Sequence, residues 1–178
     1  STMAETVVRL TPRPSRLSEA DFVDRFGDVY EHSPWIAREA YQLGLGEPQD
    51  TPQGLAEVMA RVFRAADPER QLGVLRAHPD LAGKAALAGE LTRDSSAEQA
   101  SAGLDQCTPE EFSRFQTLND AYQKRFGFPF IIAVKGLHRG DILKAFADRL
   151  EHDLEQERRT AVEQVNRIAL LRLCDRVG

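Results

Sequence analysis

The sequence predicts an all-α fold: a single-domain helical bundle with one short extended segment near residues 128–134. Three observations carry that expectation. A capping residue is followed directly by proline at Ser33-Pro34, Thr51-Pro52, Asp67-Pro68 and Thr108-Pro109. The cap accepts an orphan N–H of the first turn, and proline at the first helical position loses nothing by lacking its own. Apolar residues also recur at helical spacing, as in Leu55, Val58, Met59, Val62 and Phe63, or Phe112, Phe115, Leu118 and Tyr122 with Asn119 among them. Finally, stop signals stand where these patterns end: Gly44 after Leu43, Pro79 after His78, and Gly127 after Phe126.

Taken in order, Ser1-Thr2 ahead of Met3 reads as a cloning scar, and the rest of residues 1–16 as an irregular arm before a domain spanning 17–176. Ser18, with Asp21 three residues on, opens the first helix as a capping box. The cap-proline pairs open the next three, of which the last ends at His78-Pro79. Leu81 to Asp94, with its glycines, reads as a loop or short helix. Ser95, with Glu98 three residues on, again has the form of a capping box. Thr108-Pro109 opens a helix that Gly127 closes.

Phe128 to Val134 resists the helical reading, since it combines a proline, β-branched residues and unbroken apolarity; it reads as a short strand or an extended buried loop. The last helix runs from about Leu154 to Arg176. Its inner stripe is Val162, Val165, Ile168, Ala169 and Arg172, so an arginine falls on the apolar face. No repeat, low-complexity tract or linker divides the chain.

The composition narrows the functions. Of 178 residues, 42% are hydrophobic and 29% charged, near globular averages. A formal charge of −5 would repel a phosphate backbone, which argues against nucleic acid as a partner. The longest apolar run, Phe128 to Val134, is far short of the roughly 20 residues that cross a bilayer, and no signal-peptide pattern opens the chain. Cys107 and Cys174 fit neither a disulfide framework nor a zinc spacing, so a reducing, cytoplasmic setting is expected. No peroxisomal signal of the S-K-L type closes the chain.

Few residues offer chemistry. His78 at a helix end is either a histidine favouring the negative helix terminus or a general acid/base titrating near neutrality. Glu98 is a capping carboxylate or the orienting partner of a histidine. Arg172 must be paired in the interior or face a pocket, where bidentate carboxylate binding would be its function. Leu81-Ala82-Gly83-Lys84 ends like a phosphate loop but lacks the first glycine and the following Ser/Thr. Gly44-Leu45-Gly46 lacks the third glycine of a dinucleotide fingerprint, and no HExxH, ExxH pair or Cys/His cluster suggests a metal. No cofactor is expected.

Three separated motifs, His78-Pro79-Asp80-Leu81-Ala82-Gly83-Lys84, Ser95-Ser96-Ala97-Glu98-Gln99 with Ala102-Gly103-Leu104, and Arg125-Phe126-Gly127-Phe128-Pro129-Phe130, resemble one family. It is the 2-oxo-4-hydroxy-4-carboxy-5-ureidoimidazoline (OHCU) decarboxylases of urate degradation. The resemblance runs from about Leu17 to Leu173. It implies an all-α, commonly dimeric enzyme that converts OHCU to (S)-allantoin and carbon dioxide without a cofactor. It also implies that His78 is the catalytic acid/base and Glu98 its partner. By the same resemblance Pro79, Ser95, Ser96, Ala97, Glu98, Gln99, the backbone of Phe130, Ile131, Ile132, Ala133 and Val134, and Arg172 bind substrate. Two other readings stand beside it: a catalytically silent helical interaction module, and a decarboxylase of a related ureido or hydantoin acid.

Overall fold

The computed structural model describes residues 7–178, so the expected scar at Ser1-Thr2 lies outside the described residues. Nine α-helices are found among them: α1 (Glu19–Phe26), α2 (Trp35–Gln42), α3 (Pro52–Ala65), α4 (Pro68–Ala77), α5 (Lys84–Leu87), α6 (Arg93–Ser101), α7 (Pro109–Phe126), α8 (Arg139–Leu150) and α9 (Leu154–Cys174). The only β-type pairing among the described residues is an isolated bridge between Leu10 and Val177. Residues 128–134 are therefore an irregular buried segment with no ladder. Among the described residues no helix is long and apolar enough to cross a membrane.

Capping chemistry sets most of the helix starts. Ser18 accepts from Asp21 N at 3.2 Å, Thr51 from Gly54 N at 3.1 Å, and Asp67 from Arg70 N at 2.9 Å. Thr108 and Glu111 exchange the two bonds of a capping box, at 3.1 and 2.9 Å. Two expectations need correction. Ser33 does not cap α2; its hydroxyl donates to Glu31 O at 2.9 Å, and the helix begins at Trp35. Nor does Ser95 cap α6. Thr92 does, accepting from Ser95 N at 3.3 Å, so Glu98 sits a turn deeper than a capping box would put it. At the other end, α9 closes at Cys174 rather than Arg176, and the Arg176 N–H bonds back to Leu173 O at 2.9 Å.

The chain divides into two compact units. The first comprises the described residues up to Gln71 together with Asn166–Gly178. In it α2 packs against both α1 and α3. The stripe Leu55, Val58, Met59, Val62 and Phe63 is buried, as are Phe22, Phe26, Tyr30 and Ile36. From the end of α9 this unit receives Ile168, Ala169 and Leu173, all buried, and Asn166, which accepts from Tyr30 OH at 2.6 Å.

The second unit, Leu72–Val165, contains α5 to α8, the end of α4 and the start of α9. Its core is aromatic. Tyr122 lies within 4.7–5.8 Å, ring centre to ring centre, of Phe126, Phe128, Phe130 and Phe146, and Phe130 stacks on Phe146 at 3.9 Å. Gly127 ends α7 with a positive φ of 78°, a conformation that costs glycine nothing, and so turns the chain into the irregular segment.

Candidate active site

Helix α4 stops at Ala77 because Pro79 has no N–H to continue it. His78 thus stands at the mouth of a tight loop, buried, with its own N–H bonded to Leu75 O at 3.3 Å. The loop that follows is compressed. Ala82 adopts a φ of 50°, left-handed and disfavoured by about 1–2 kcal/mol for a residue with a Cβ. At Gly83 a Cβ would stand 2.7 Å from Cβ of Asp80, closer than real contacts allow, so glycine is required there.

Three neutral amides hold this strained backbone. From α6, Gln99 accepts the Ala82 N–H at 3.1 Å and donates to Asp80 O at 3.2 Å. From α7, Asn119 donates to Leu81 O at 2.9 Å and Gln116 to Ala82 O at 2.7 Å. Both peptide groups of Ala82 are therefore bonded to side chains. That satisfies buried backbone which a helix would have paired internally, and it fixes the loop behind His78.

Asp80 is the loop's own titratable group. Burial pushes its carboxyl above the usual aspartate range; a hydrogen bond with Gln123 works against that rise, and the charge of Asp120 adds to it. Its Oδ1 atom is buried and has no hydrogen-bond partner among the described residues.

Among the residues expected to bind substrate on α6, Ser95 and Gln99 are buried four positions apart on one face. Glu98 is half-exposed, while Ser96 and Ala97 are exposed. Through Gln99 the structure joins this helix to the His78 loop. Pro79 is half-buried beside Asp80.

In the irregular segment Phe130, Ile131 and Val134 are buried, and Ile132 and Ala133 half-buried. Two of its backbone groups are bonded by side chains: Arg149 Nη1 donates to Ile131 O at 2.6 Å, and Gln164 Oε1 accepts the Ala133 N–H at 2.8 Å. Arg149 is itself buried. It pairs with the fully buried Glu157 at 2.6 Å and lies 4.4 Å over the Phe130 ring. Glu157 also accepts from Tyr122 OH and contacts His152 Nδ1 at 3.0 Å. Burial, followed by the hydrogen bond and negative charge of Glu157, drives the Tyr122 phenol far above its ordinary range, against the opposing charge of Arg149. Tyr122 therefore stays a neutral donor.

Arg172 belongs to the first unit. It is buried there, with Nη2 donating to Glu31 Oε2 at 2.8 Å and Nη1 reaching Val29 O at 3.4 Å. Glu31 is buried as well, so the arginine on the apolar stripe takes part in an interior ion pair. Among the described residues no group of three or more His, Cys, Asp and Glu side chains is arranged to hold a metal ion.

Sequence reasoning passed over Gln116, Arg149, Glu157 and Gln164 as site residues. Asn119 gave a signal, as a polar residue set into the apolar stripe of α7. The others gave none, because amides and charged residues on half-exposed helices are ordinary.

The described residues thus form an all-helical frame in which a buried histidine precedes a loop locked by side-chain amides. The chain belongs to the OHCU decarboxylase family, whose model matches residues 15–174. It is 46% identical over 160 residues to the 2-oxo-4-hydroxy-4-carboxy-5-ureidoimidazoline decarboxylase of Halalkalicoccus jeotgali, covering 88% of this chain and 87% of the relative. To the protein of that name from Haloferax volcanii it is 43% identical, covering 91% and 92%. It is also similar to the crystal structure of (S)-allantoin synthase, with a TM-score of 0.74 at 29% identity. That match covers 97% of this chain and 54% of the other, so this chain spans about half the solved protein.

Proposed function

We propose that this protein decarboxylates OHCU to (S)-allantoin and carbon dioxide, with His78 as acid/base and Glu98 as the carboxylate that orients it. The observation that carries the reading is the loop from Pro79 to Gly83, locked by Gln99, Gln116 and Asn119 directly behind a buried histidine. Family membership supplies the substrate.

The chemistry accounts for what the protein must do. In OHCU the departing carboxylate sits on the hydroxylated ring carbon, next to a ring C=N bond. As the C–C bond breaks, its electron pair becomes a ring C=C bond and the C=N electrons move to nitrogen, which takes a proton. The electron sink is within the substrate, so the reading needs no cofactor. The enol-like product then loses its hydroxyl proton and gains one on the ureido carbon; delivery to a single face gives the S enantiomer. Positioning and proton transfer are left to the protein. His78 engages the hydroxyl or carboxylate and assists the proton shift.

Pro79, Ser95, Ser96, Ala97, Gln99 and the backbone from Phe130 to Val134 are assigned to the substrate side of this reading on the family resemblance, with Gln99 also holding the loop. A non-helical segment suits that task, since an imide-like, ureido-bearing ring offers donors and acceptors that backbone groups can match. Arg172 is carried over on the resemblance alone, alongside its pair with Glu31. We further propose a cytoplasmic homodimer that acts on a small molecule and binds neither nucleic acid nor membrane; the charge of −5 supports the exclusion of nucleic acid.

The test is time-resolved circular dichroism of freshly generated OHCU, with and without the protein. Spontaneous decay yields racemic, optically silent allantoin, whereas the enzyme builds up the (S)-allantoin signal. His78→Asn is expected to abolish that signal while the helical spectrum persists. Turnover unaltered by the substitution would overturn the mechanism.

A further inference from the structure

Resting on that reading of residues 130–134, we infer that Arg149 and Gln164 are positioning residues that hold one edge of the segment so that its other edge meets the substrate. The two bonded groups are Ile131 O and the Ala133 N–H, two residues apart. In an extended chain the N–H and C=O of alternate residues point to the same edge, and those of the residue between point to the opposite one. With residues 131–133 taken as extended, Arg149 and Gln164 occupy the edge of residues 131 and 133, and the N–H and C=O of Ile132 face the other way. One donor and one acceptor side by side are what an amide of a ureido-imidazoline ring can pair with.

Stability alone does not explain this arrangement. A buried ion pair such as Arg149–Glu157 is often no more stabilising than apolar residues of the same volume. Its advantage is direction. Arg149 presents a planar guanidinium: Nε donates to Glu157 Oε1 and Nη1 to Ile131 O, each at 2.6 Å, and the plane lies over Phe130, the first residue of the segment. Glu157 is fixed in turn by Tyr122 OH and His152. The carbonyl of Ile131 is thus referred, through one guanidinium, to helices α7, α8 and α9. Gln164, a half-buried residue of α9, repeats the hold two residues further on.

The experiment compares Gln164→Leu with Gln164→Glu. Leucine removes the acceptor for the Ala133 N–H; glutamate keeps one. The expected result is a KM for OHCU raised about tenfold in Gln164→Leu, a loss worth one well-placed hydrogen bond, with kcat and melting temperature little changed and Gln164→Glu close to wild type. Arg149→Lys is the companion: lysine keeps the charge beside Glu157 but lacks the fork that also reaches Ile131 O, so KM should rise there too. An unchanged KM in Gln164→Leu would overturn the inference, as would equal losses in the leucine and glutamate variants. Amide exchange separates this outcome from a failure of the proposed activity. Whatever the turnover, the Ala133 amide should exchange faster in Gln164→Leu than in Gln164→Glu, and equal rates would also overturn the assignment.

Discussion

Replacing Gln99 by leucine removes both ends of the hydrogen-bonded hold on the histidine loop while nearly conserving side-chain volume. Gln99 is 6% exposed, so the leucine fits a site already closed to water. What disappears is the bond to Asp80 O at 3.2 Å and the bond from the Ala82 N–H at 3.1 Å. Each is worth about 1 kcal/mol net, and a buried N–H left without a partner costs about 1–3 kcal/mol more. Ala82 is held at a positive φ by these bonds and by Gln116, so part of the loss is recovered when the loop relaxes toward ordinary backbone. The expected destabilisation is about 2–4 kcal/mol, or roughly 5–15 °C in melting temperature for a chain of this size. Relaxation of the loop displaces His78, so kcat/KM for OHCU should fall well below wild type even at temperatures where the variant remains folded. Thermal melts followed at 222 nm, paired with the (S)-allantoin dichroism assay, read both. A variant melting within about 2 °C of wild type with unimpaired turnover would refute the idea that Gln99 holds the loop. Gln99→Glu provides an internal control. Its carboxylate still accepts from Ala82 but repels Asp80 O, so the loss should shrink on acidification, once the new carboxyl carries a proton it can donate.

Two further predictions concern charge. Arg172→Met should lower stability by about 3–5 kcal/mol, because it removes the guanidinium paired with the buried Glu31 carboxylate, and the double variant Arg172→Met/Glu31→Gln should recover part of that loss. Calorimetry reads the stability and steady-state kinetics the substrate role; a raised KM at unchanged melting temperature would instead make the guanidinium a ligand first. At Asp80 the folded carboxyl titrates above its ordinary value because burial disfavours the ion. Its favourable contribution to stability is therefore complete below about pH 4, the unfolded range, and is lost as pH rises through the raised folded value. Asp80→Asn, which keeps an acceptor for Gln123, should melt no lower than wild type at pH 7, and any advantage should vanish near pH 4. A variant losing more stability at pH 7 than at pH 4 would contradict the sign.

Much of the helical framework was legible because its signals are local. Thr51, Asp67 and Thr108 cap where they stand, and Gly127 turns the chain, since a cap and a positive φ depend on three or four neighbouring residues. Where two local solutions competed, the sequence misled. Thr92 and Ser95 can each cap a helix; the structure uses Thr92, which buries Ser95 instead. Helix α8 carries no cap-proline signal and is started by Asp141 reaching back to the His138 N–H at 2.9 Å. The site was legible as motifs but not as geometry. Gln99 reaches 17 and 19 residues back, Asn119 38 residues and Gln116 34, and nothing in a glutamine's neighbourhood announces a partner at such a distance.

The choice of amides over ions for this task has a physical consequence. Gln99, Gln116 and Asn119 hold the loop with groups that do not titrate, so the hold is the same at pH 5 as at pH 9. An ion pair in their place would lose strength as its acid was protonated, and would add a fixed charge beside His78, where the proposed reading puts the loss of carbon dioxide. Neutral donors and acceptors constrain the backbone without competing for the electron pair that the substrate's own C=N bond receives. The titrating groups left at this loop are then His78 and Asp80, and the rise of the Asp80 carboxyl tends to remove its charge. The pH profile of turnover should follow the histidine, while the geometry behind it stays constant.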